Sequence, residues 1–266
     1  MAISINAPAL PVSSGSQFNA LARAGASGLR INSAADDAAG IAIAQGFTSQ
    51  GRGMTVAMRN LGDGMSLLQA RGGTVSGFTE QVQRMRELTV QANNATNGPQ
   101  ERELLNREFT ALRDSIVEQV GSAAFNGRPL FGDGAQTFQT GPNAGQTTVV
   151  EGNALPDALA EIDFSNLTLN SSGDLGNVIE RLDDTLAAFT ASQVQDGAVA
   201  NRFEQQSNNL SQQRLDNAAS LSRIQDLDFA KLASDLAQDD TRSRAQILLQ
   251  SQANANRGDV LRLISS

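Results

Sequence analysis

The longest regular pattern in the chain is a run of apolar and small residues between Phe47 and Ala92. They recur at alternating steps of three and four, the spacing that places side chains on one face of an α-helix. No proline interrupts the run, and at about 1.5 Å per residue it predicts a helix roughly 70 Å long, which needs a partner of similar length. The members of this stripe are Phe47, Met54, Met58, Leu61, Met65, Leu68, Gly72, Val75, Val82, Met85, Thr89 and Ala92.

Two more helical patterns supply possible partners. A helix is expected to start at Pro99 and to stop at Gly121, with an apolar face of Leu105, Phe109, Leu112, Ile116 and Val120 that folds back on the long helix. Helical spacing resumes at Leu175 and continues to Ile224, which predicts a second helix of about 50 residues. The apolar face of this helix would form the seam with its partner, and it is interrupted by Asp196, Arg214 and Asn217. A polar residue in such a seam usually sets the register of the two helices or faces water.

The segment between these helices has no helical period. Thr137–Thr140 and Thr147–Val150 are separated by a Gly-Pro-Asn-Ala-Gly turn, so they predict a two-stranded hairpin. The stretch from Ile162 to Leu169 is consistent with either a third strand or an irregular loop, and its alternation does not separate the two.

The two ends of the chain are less regular. Pro8, Pro11, Gly15 and Gly25 interrupt Met1–Ala26, and its weak helical face predicts that the segment alone is largely disordered. The tail from Lys231 to Ser266 mixes isolated apolar residues with many Gln, Asn, Ser and Ala. It is expected to be an interface for neighbouring copies, the alternative being a surface-associated amphipathic helix.

Composition favours thin helical layers over a thick core. The chain has 266 residues but only 11 Phe and no Trp or Tyr. Its net charge of −8 argues against nucleic acid as a partner. No secretory signal peptide and no apolar run of membrane-spanning length is found, so membrane insertion is not expected.

Cysteine and histidine are both absent. Their absence removes thiolate nucleophiles, Cys/His zinc sites, Ser-His-Asp triads and imidazole bases together. The adjacent acids Asp183-Asp184 and Asp239-Asp240 point in different directions on a helix and are expected to be solvated charge. We therefore expect no enzyme, no catalytic residues, no cofactor and no metal site.

Several segments carry a family resemblance. They resemble, in order, the signature segments of bacterial flagellin, the subunit of the flagellar filament, and they cover nearly the whole chain. The segments are Ser27–Ala44, Gln83–Asn97, Phe125–Phe131, Ser222–Ala230 and Gln252–Asn254 with Val260–Ile264.

The resemblance implies a mainly α fold. It would be an elongated antiparallel bundle or coiled coil of long helices with a small β-hairpin region, and its terminal helices would pair on assembly. Residues 1–40 would form an inner-tube arm and linker, 41–229 a helical shell with a hairpin-rich segment at about 125–174, and 230–266 an inner-tube helix. The short central segment implies a minimal form without large outer domains.

The function implied is a structural subunit that self-assembles into the flagellar filament for motility. Its partners would be other copies of itself, the flagellar cap, junction proteins and an export chaperone, and it would leave the cell by the flagellar type III route. The residues expected to carry self-assembly are Phe18, Leu21, Leu232, Leu236, Val260, Leu261, Leu263 and Ile264.

The resemblance also implies recognition of the subunit by the innate immune receptor Toll-like receptor 5. The matching positions are Arg84, Leu88 and Glu108. Arg84 and Leu88 lie four apart on one helical face, and antiparallel packing would bring Glu108 beside them. Leu88 is expected to be an exposed apolar residue flanked by charges; the alternative is an ordinary surface ion pair.

Two other functions remain open from the sequence. A flagellar hook–filament junction protein shares the terminal segments, although the match over Gln83–Asn97 favours the filament subunit. A flagellin with an enzymatic insert is disfavoured because the central segment is short and lacks a His-Glu-x-x-His metal motif.

Overall fold

The computed structural model describes residues 14–169 and 175–265, and side chains for 17–169 and 175–256. The fold is mainly α with a small β region, as predicted. Its elements in chain order are α1 (Ser14–Ser27), α2 (Ala38–Ala92), α3 (Pro99–Ser122), β1 (Ala124–Phe125), β2 (Arg128–Pro129), β3 (Gln136–Gln139), β4 (Thr147–Val150), α4 (Leu155–Glu161), a 3-10 turn (Phe164–Asn166), α5 (Leu175–Gln225) and α6 (Phe229–Ser265).

The chain divides into two compact units. The central unit is Gln50–Arg214, and the terminal unit combines Met1–Ser49 with Leu215–Ser266. The terminal unit thus brings together residues from both ends of the sequence.

Helix α2 begins nine residues before the predicted start at Phe47 and ends at Ala92, as predicted. The Asp37 carboxylate accepts a hydrogen bond from the Gly40 N–H at 2.8 Å, so it satisfies one of the donors left free at a helix N-terminus. This cap explains the earlier start, since the apolar stripe alone does not mark where the first turn closes.

The buried face of α2 in the central unit follows alternating steps of three and four without a break. Eight predicted positions of the stripe are buried; Met58 and Met65 are half-buried and pack against the buried cluster around Leu61, and Gly72 is half-buried. The fully buried positions lie one residue earlier, at Ala57, Gly64 and Arg71, and Phe78 fills the gap that the stripe leaves between Val75 and Val82. Ala57 and Gly64 are each followed by a methionine, which is the more apolar residue of the two, and Arg71 is charged.

Helix α5 runs antiparallel to α2 within the central unit, and its length confirms the prediction of a helix of about 50 residues. Its buried residues include a series spaced by seven: Leu175, Leu182, Phe189, Asp196, Phe203 and Leu210. Three layers define the pairing: the Phe203 ring lies against Gly64, Asp196 bonds to Arg71, and the ring centroids of Phe189 and Phe78 are 5.9 Å apart. Each step of seven along α2 is therefore matched by a step of seven back along α5.

Helix α3 folds back on α2 as predicted and ends at Ser122, one residue past the predicted stop. Phe109, Ile116 and Val120 are buried, and they share one apolar cluster with residues of α2 and α5. Phe78 is at the centre of this cluster, since its ring also lies 5.9 Å from that of Phe131. A second apolar cluster, nearer the N-terminal end of α2, contains Met54 and Leu61 together with Phe203 of α5.

The β region consists of two small antiparallel hairpins. The predicted hairpin is confirmed with its first strand one residue earlier, and it packs on α5 because the Phe138 and Phe203 rings are 5.7 Å apart. The β1–β2 pair turns at Asn126 and Gly127, whose φ angles of 52° and 76° suit an Asn-Gly turn. The stretch 162–169 forms no strand: it continues from α4 into the 3-10 turn.

Candidate assembly surface

The terminal unit is built on a contact between α1 and α6. Leu232 is buried, and a Cβ atom placed on Gly25 would lie 3.2 Å from its Cδ2 atom. The sequence predicted little structure before Ala26, but residues 14–27 are helical. Gly25 explains the difference: it is unfavourable in an isolated helix, yet its missing side chain lets α6 approach closely.

The segment after α1 is joined to the segment between α5 and α6. Gly28 adopts a φ of 70° at the end of α1, and Leu29 then pairs with Asp226 in an antiparallel bridge. Arg30 donates its backbone N–H to the Gln225 carbonyl at 2.7 Å and its guanidinium to the Ile224 carbonyl at 2.5 Å. Two of the segments that carry the flagellin resemblance, 27–44 and 222–230, therefore contact each other directly.

A turn stabilised by Asp36 connects this bridge to α2. Its carboxylate accepts hydrogen bonds from the backbone N–H groups of Asn32 (3.1 Å) and Ser33 (2.9 Å) and from the Ser33 hydroxyl (3.0 Å). The bonds from Asn32 and Ser33 lower the pKa of Asp36 because they stabilise the charged carboxylate. The turn is thus held most firmly when Asp36 is ionised.

Helix α6 presents apolar side chains that nothing in the described chain covers. Phe229 is 61% exposed, and the adjacent residues Ile247, Leu248 and Leu249 are 64–68% exposed. Phe18 of α1 is 54% exposed. A run of adjacent exposed apolar side chains such as Ile247–Leu249 often marks a surface that a partner covers.

The residues predicted to carry self-assembly occupy different environments. Phe18 is exposed, Leu21 and Leu236 are half-buried, and Leu232 is buried in the α1–α6 contact. Leu232 therefore holds the two helices together within the subunit. The side chains of Val260, Leu261, Leu263 and Ile264 lie outside the described residues, although their backbone belongs to α6.

A mixed polar and apolar groove of about 520 Å³ lies beside the α1–α6 contact. Its apolar floor comes from Leu21, Ala24 and Leu232, whereas charged side chains of both signs line its rim: Arg23, Arg30, Asp36, Asp228, Lys231 and Asp235. The groove is confined to the terminal unit, next to the bridge between Leu29 and Asp226.

On the central unit, two of the three predicted receptor residues meet. The guanidinium of Arg84 donates to the carboxylates of Glu108 at 2.9 Å and Glu87 at 3.0 Å, and these bonds raise its pKa. The side chains of Arg84 and Glu108 are about half-exposed. The predicted pairing of α2 with α3 at this point is therefore present.

Leu88 is fully buried, so the prediction that it is exposed is wrong. It belongs to the same apolar cluster as Phe109 of α3 and Leu182 of α5. Because α2 is covered by two helices here, its buried arc is wider than one seam and includes Leu88 beside Met85 and Thr89.

Sequence reasoning missed two ion pairs that join α2 to α5. Arg86 donates to Asp183 at 2.8 Å on the surface, and that bond raises the pKa of Arg86. Arg71 donates to Asp196 at 2.9 Å with side chains only 3% and 8% exposed. Burial raises the pKa of Asp196 although Arg71 acts in the opposite direction. The seven-residue spacing of Asp196 from Phe189 and Phe203 is the signal that placed it in the seam.

The described helices include no stretch with the length and hydropathy of a membrane span. Within the same residues, no cluster of three or more potential Asp or Glu metal ligands occurs.

Two family models match the chain. The bacterial flagellin N-terminal helical region matches residues 3–137, and the bacterial flagellin C-terminal helical region matches residues 172–264. Together they include all three long helices α2, α5 and α6 almost completely and leave out residues 138–171, which contain half of β3, all of β4, α4 and the 3-10 turn.

Individual relatives agree with these matches. The chain is 36% identical to a flagellin of Halalkalibacterium halodurans over 90% of its own length and 88% of the relative's. The crystal structure of a Bacillus cereus flagellin superposes with a TM-score of 0.52 at 23% identity, covering 57% of this chain and 88% of that one.

A protein of Vibrio parahaemolyticus described as flagellar hook-associated is similar in fold, with a TM-score of 0.61 at 15% identity. It covers 72% of this chain and all of the Vibrio chain, and at that identity the similarity concerns the fold alone. The sequence matches over most of the length, in contrast, are to flagellins. The chain therefore belongs to the bacterial flagellin family, whose members are structural subunits of the filament that bacteria use for motility.

Proposed function

We propose that the chain polymerises through the exposed apolar faces of α1 and α6, which become buried between neighbouring copies. The observation that carries this proposal is the run Ile247-Leu248-Leu249, each about two-thirds exposed on α6. Burying an aliphatic side chain of this size contributes about 1.5–3 kcal/mol. Three such residues per subunit supply a large share of the free energy that a polymer contact needs.

In the proposed filament, residues 1–40 and 230–266 form the inner tube, and residues 41–229 form the helical shell around it. The α1–α6 contact supports this arrangement, because Leu232 and Gly25 join the two arms within one subunit. Phe18 of α1 and Ile247–Leu249 of α6 stay exposed when the two arms are joined.

The test is salt-nucleated polymerisation of purified protein, followed by sedimentation and electron microscopy. A triple variant Ile247→Ser, Leu248→Ser, Leu249→Ser should remain a helical monomer and fail to polymerise. The matched control replaces the flanking exposed residues, Gln246→Ser and Gln250→Ser, and should polymerise as wild type does. Filaments of normal length from the triple variant would refute the proposed interface.

A second test concerns the end of α6. Deleting residues 260–266 should leave a soluble helical monomer that no longer polymerises, because the apolar residues Val260, Leu261, Leu263 and Ile264 are assigned to contacts between copies. Normal filaments from the truncated chain would remove this part of the interface.

We also propose that the subunit is exported by the flagellar type III route and that it meets an export chaperone, the filament cap and the junction proteins. The family membership of the chain supports this. The test is its appearance in the medium of flagellated cells. Export should stop in a strain that lacks the flagellar export apparatus and continue in one that lacks only the general secretory signal peptidase.

A further partner, Toll-like receptor 5, is proposed for the central unit. The exposed pair Arg84–Glu108 supports this because it joins two helices into one charged surface. Arg84→Ala and Glu108→Ala should each reduce receptor signalling by monomers without impairing polymerisation. Leu88→Ala is expected to act through folding, since Leu88 is buried. Full signalling by both charge variants would exclude the surface.

A further inference from the structure

The buried ion pair of Arg71 and Asp196 lies inside an otherwise apolar seam. Arg71 lies between Leu68 and Val75 of α2, while Asp196 is seven residues from Phe189 and from Phe203 on α5. Both side chains are more than nine-tenths buried. A charged layer at this place needs an explanation, because well-packed apolar residues of similar size are often at least as stable.

The pair lies between members of two apolar clusters of the central unit. Phe78, Val75 and Phe189 belong to the cluster on one side, and Leu61, Leu68 and Phe203 belong to the cluster on the other. The bond of 2.9 Å uses one nitrogen of Arg71 and one oxygen of Asp196. Arg71 Nε and Asp196 Oδ2 are buried without a hydrogen-bond partner, so the layer is not optimised for stability alone.

We propose that the Arg71–Asp196 pair determines the register of α2 against α5, and so selects the one alignment of the shell helices from which filaments are built. Both helices repeat their buried positions every seven residues. If one helix were displaced along the other by one heptad, the buried faces of the two helices would therefore still lie against each other. The observed alignment pairs Gly64 with Phe203, Arg71 with Asp196 and Phe78 with Phe189.

A one-heptad displacement changes which side chains meet at the charged layer. In one direction Arg71 would face Phe203, and in the other it would face Phe189. In both cases a buried guanidinium loses its counter-charge, and Asp196 loses the hydrogen bond from Arg71 at the same time.

The absence of cysteine makes a direct measurement possible. Ser76→Cys on α2 and Gln205→Cys on α5 are exposed sites for spin labels, offset along the helix pair by about two heptads. Displacement by seven residues moves one label relative to the other by about 10 Å along the axis. Pulsed dipolar spectroscopy resolves such a change.

The test variant is Arg71→Leu with Asp196→Leu, which keeps the net charge and the apolar character of the seam. The control is Arg86→Leu with Asp183→Leu, which removes an ion pair between the same two helices at the surface. Wild type and control should give one label-to-label distance. The test variant should give a second population displaced by about 10 Å, with helicity retained.

A charge reversal, Arg71→Asp with Asp196→Arg, keeps opposite charges in the same layer and should return a single distance equal to that of wild type. If the double-leucine variant does not fold, the charge-reversal variant alone tests whether the paired charges specify the register. A single unchanged distance in the double-leucine variant would overturn the proposal. Two populations in the charge reversal would do the same, since the paired charges would then not specify the register.

Discussion

Replacing Gly64 by alanine tests the closest contact between α2 and α5. A Cβ atom at this position would lie 2.5 Å from Cε2 of Phe203 and 3.2 Å from two more atoms of the ring. Optimal separations between carbon atoms are about 3.5–4.0 Å, so the ring must move by about 1 Å. Phe203 is fully buried and its ring lies 5.7 Å from that of Phe138, which leaves it little room.

Two effects of opposite sign decide the outcome. Alanine is favoured over glycine in the interior of a helix by about 1 kcal/mol. Overpacking of a filled core usually costs about 1–3 kcal/mol. We therefore expect Gly64→Ala to lower the free energy of unfolding by up to about 2 kcal/mol, in spite of its better helix propensity.

Gly62 provides the matched control, since it lies two residues away in the same helix and a Cβ there meets nothing within 4 Å. Gly62→Ala should raise the free energy of unfolding by roughly 0.5–1 kcal/mol. Urea denaturation followed by circular dichroism measures both variants. If Gly64→Ala is stabilised as much as Gly62→Ala, Phe203 does not pack on Gly64 and the described seam is incorrect.

Three further predictions use other parts of the fold. Leu88→Ala should cost about 2–5 kcal/mol in urea denaturation because the side chain is fully buried, and a loss below about 1 kcal/mol would contradict that burial. Asp196→Ala should cost about 3–5 kcal/mol by leaving Arg71 as an unpaired buried charge, whereas stability equal to wild type would show that Arg71 reaches solvent. The pKa of Asp36 is lowered in the folded chain, so its contribution is present above the ordinary value of 3.8 and is lost as the pH falls through the folded-state pKa. The protection factors of the Asn32 and Ser33 amides, which correct for the intrinsic pH dependence of exchange, should fall in that acid range in wild type but not in Asp36→Asn, and equal pH profiles would exclude the role of the carboxylate.

The sequence predicts the long helices well because their apolar periods are long and uninterrupted. The end of α2 at Ala92, the start of α3 at Pro99 and the start of α5 at Leu175 are all confirmed. The hairpin was predictable as well, since two β-branched stretches flank a turn rich in Gly and Pro. Each of these signals is local to its own element.

The errors arise where the environment of a residue depends on distant segments. The predicted stripe omits Arg71 because it is charged, and it has Met65 in place of Gly64 because methionine is the more apolar neighbour, although Arg71 and Gly64 both lie in the buried seam. Leu88 was assigned to the surface because the width of the buried arc depends on how α3 and α5 both cover α2. The bridge from Leu29 to Asp226 joins residues almost 200 positions apart, and no local pattern indicates it.

The composition of the proposed interface was predictable only in part. The apolar end of the chain drew attention to α6, but Leu232 packs within the subunit and Ile247–Leu249 are the exposed residues. Spacing along one helix does not tell which side chains a neighbouring helix covers. That depends on the close approach at Gly25, which in sequence looks like a helix breaker.

Electron cryo-microscopy of the salt-nucleated polymer would show directly whether neighbouring copies bury the exposed residues of α6. We expect helical filaments in which Ile247, Leu248 and Leu249 of each subunit are covered by another copy. Only monomers or short rings, or filaments in which these three side chains face solvent, would contradict it.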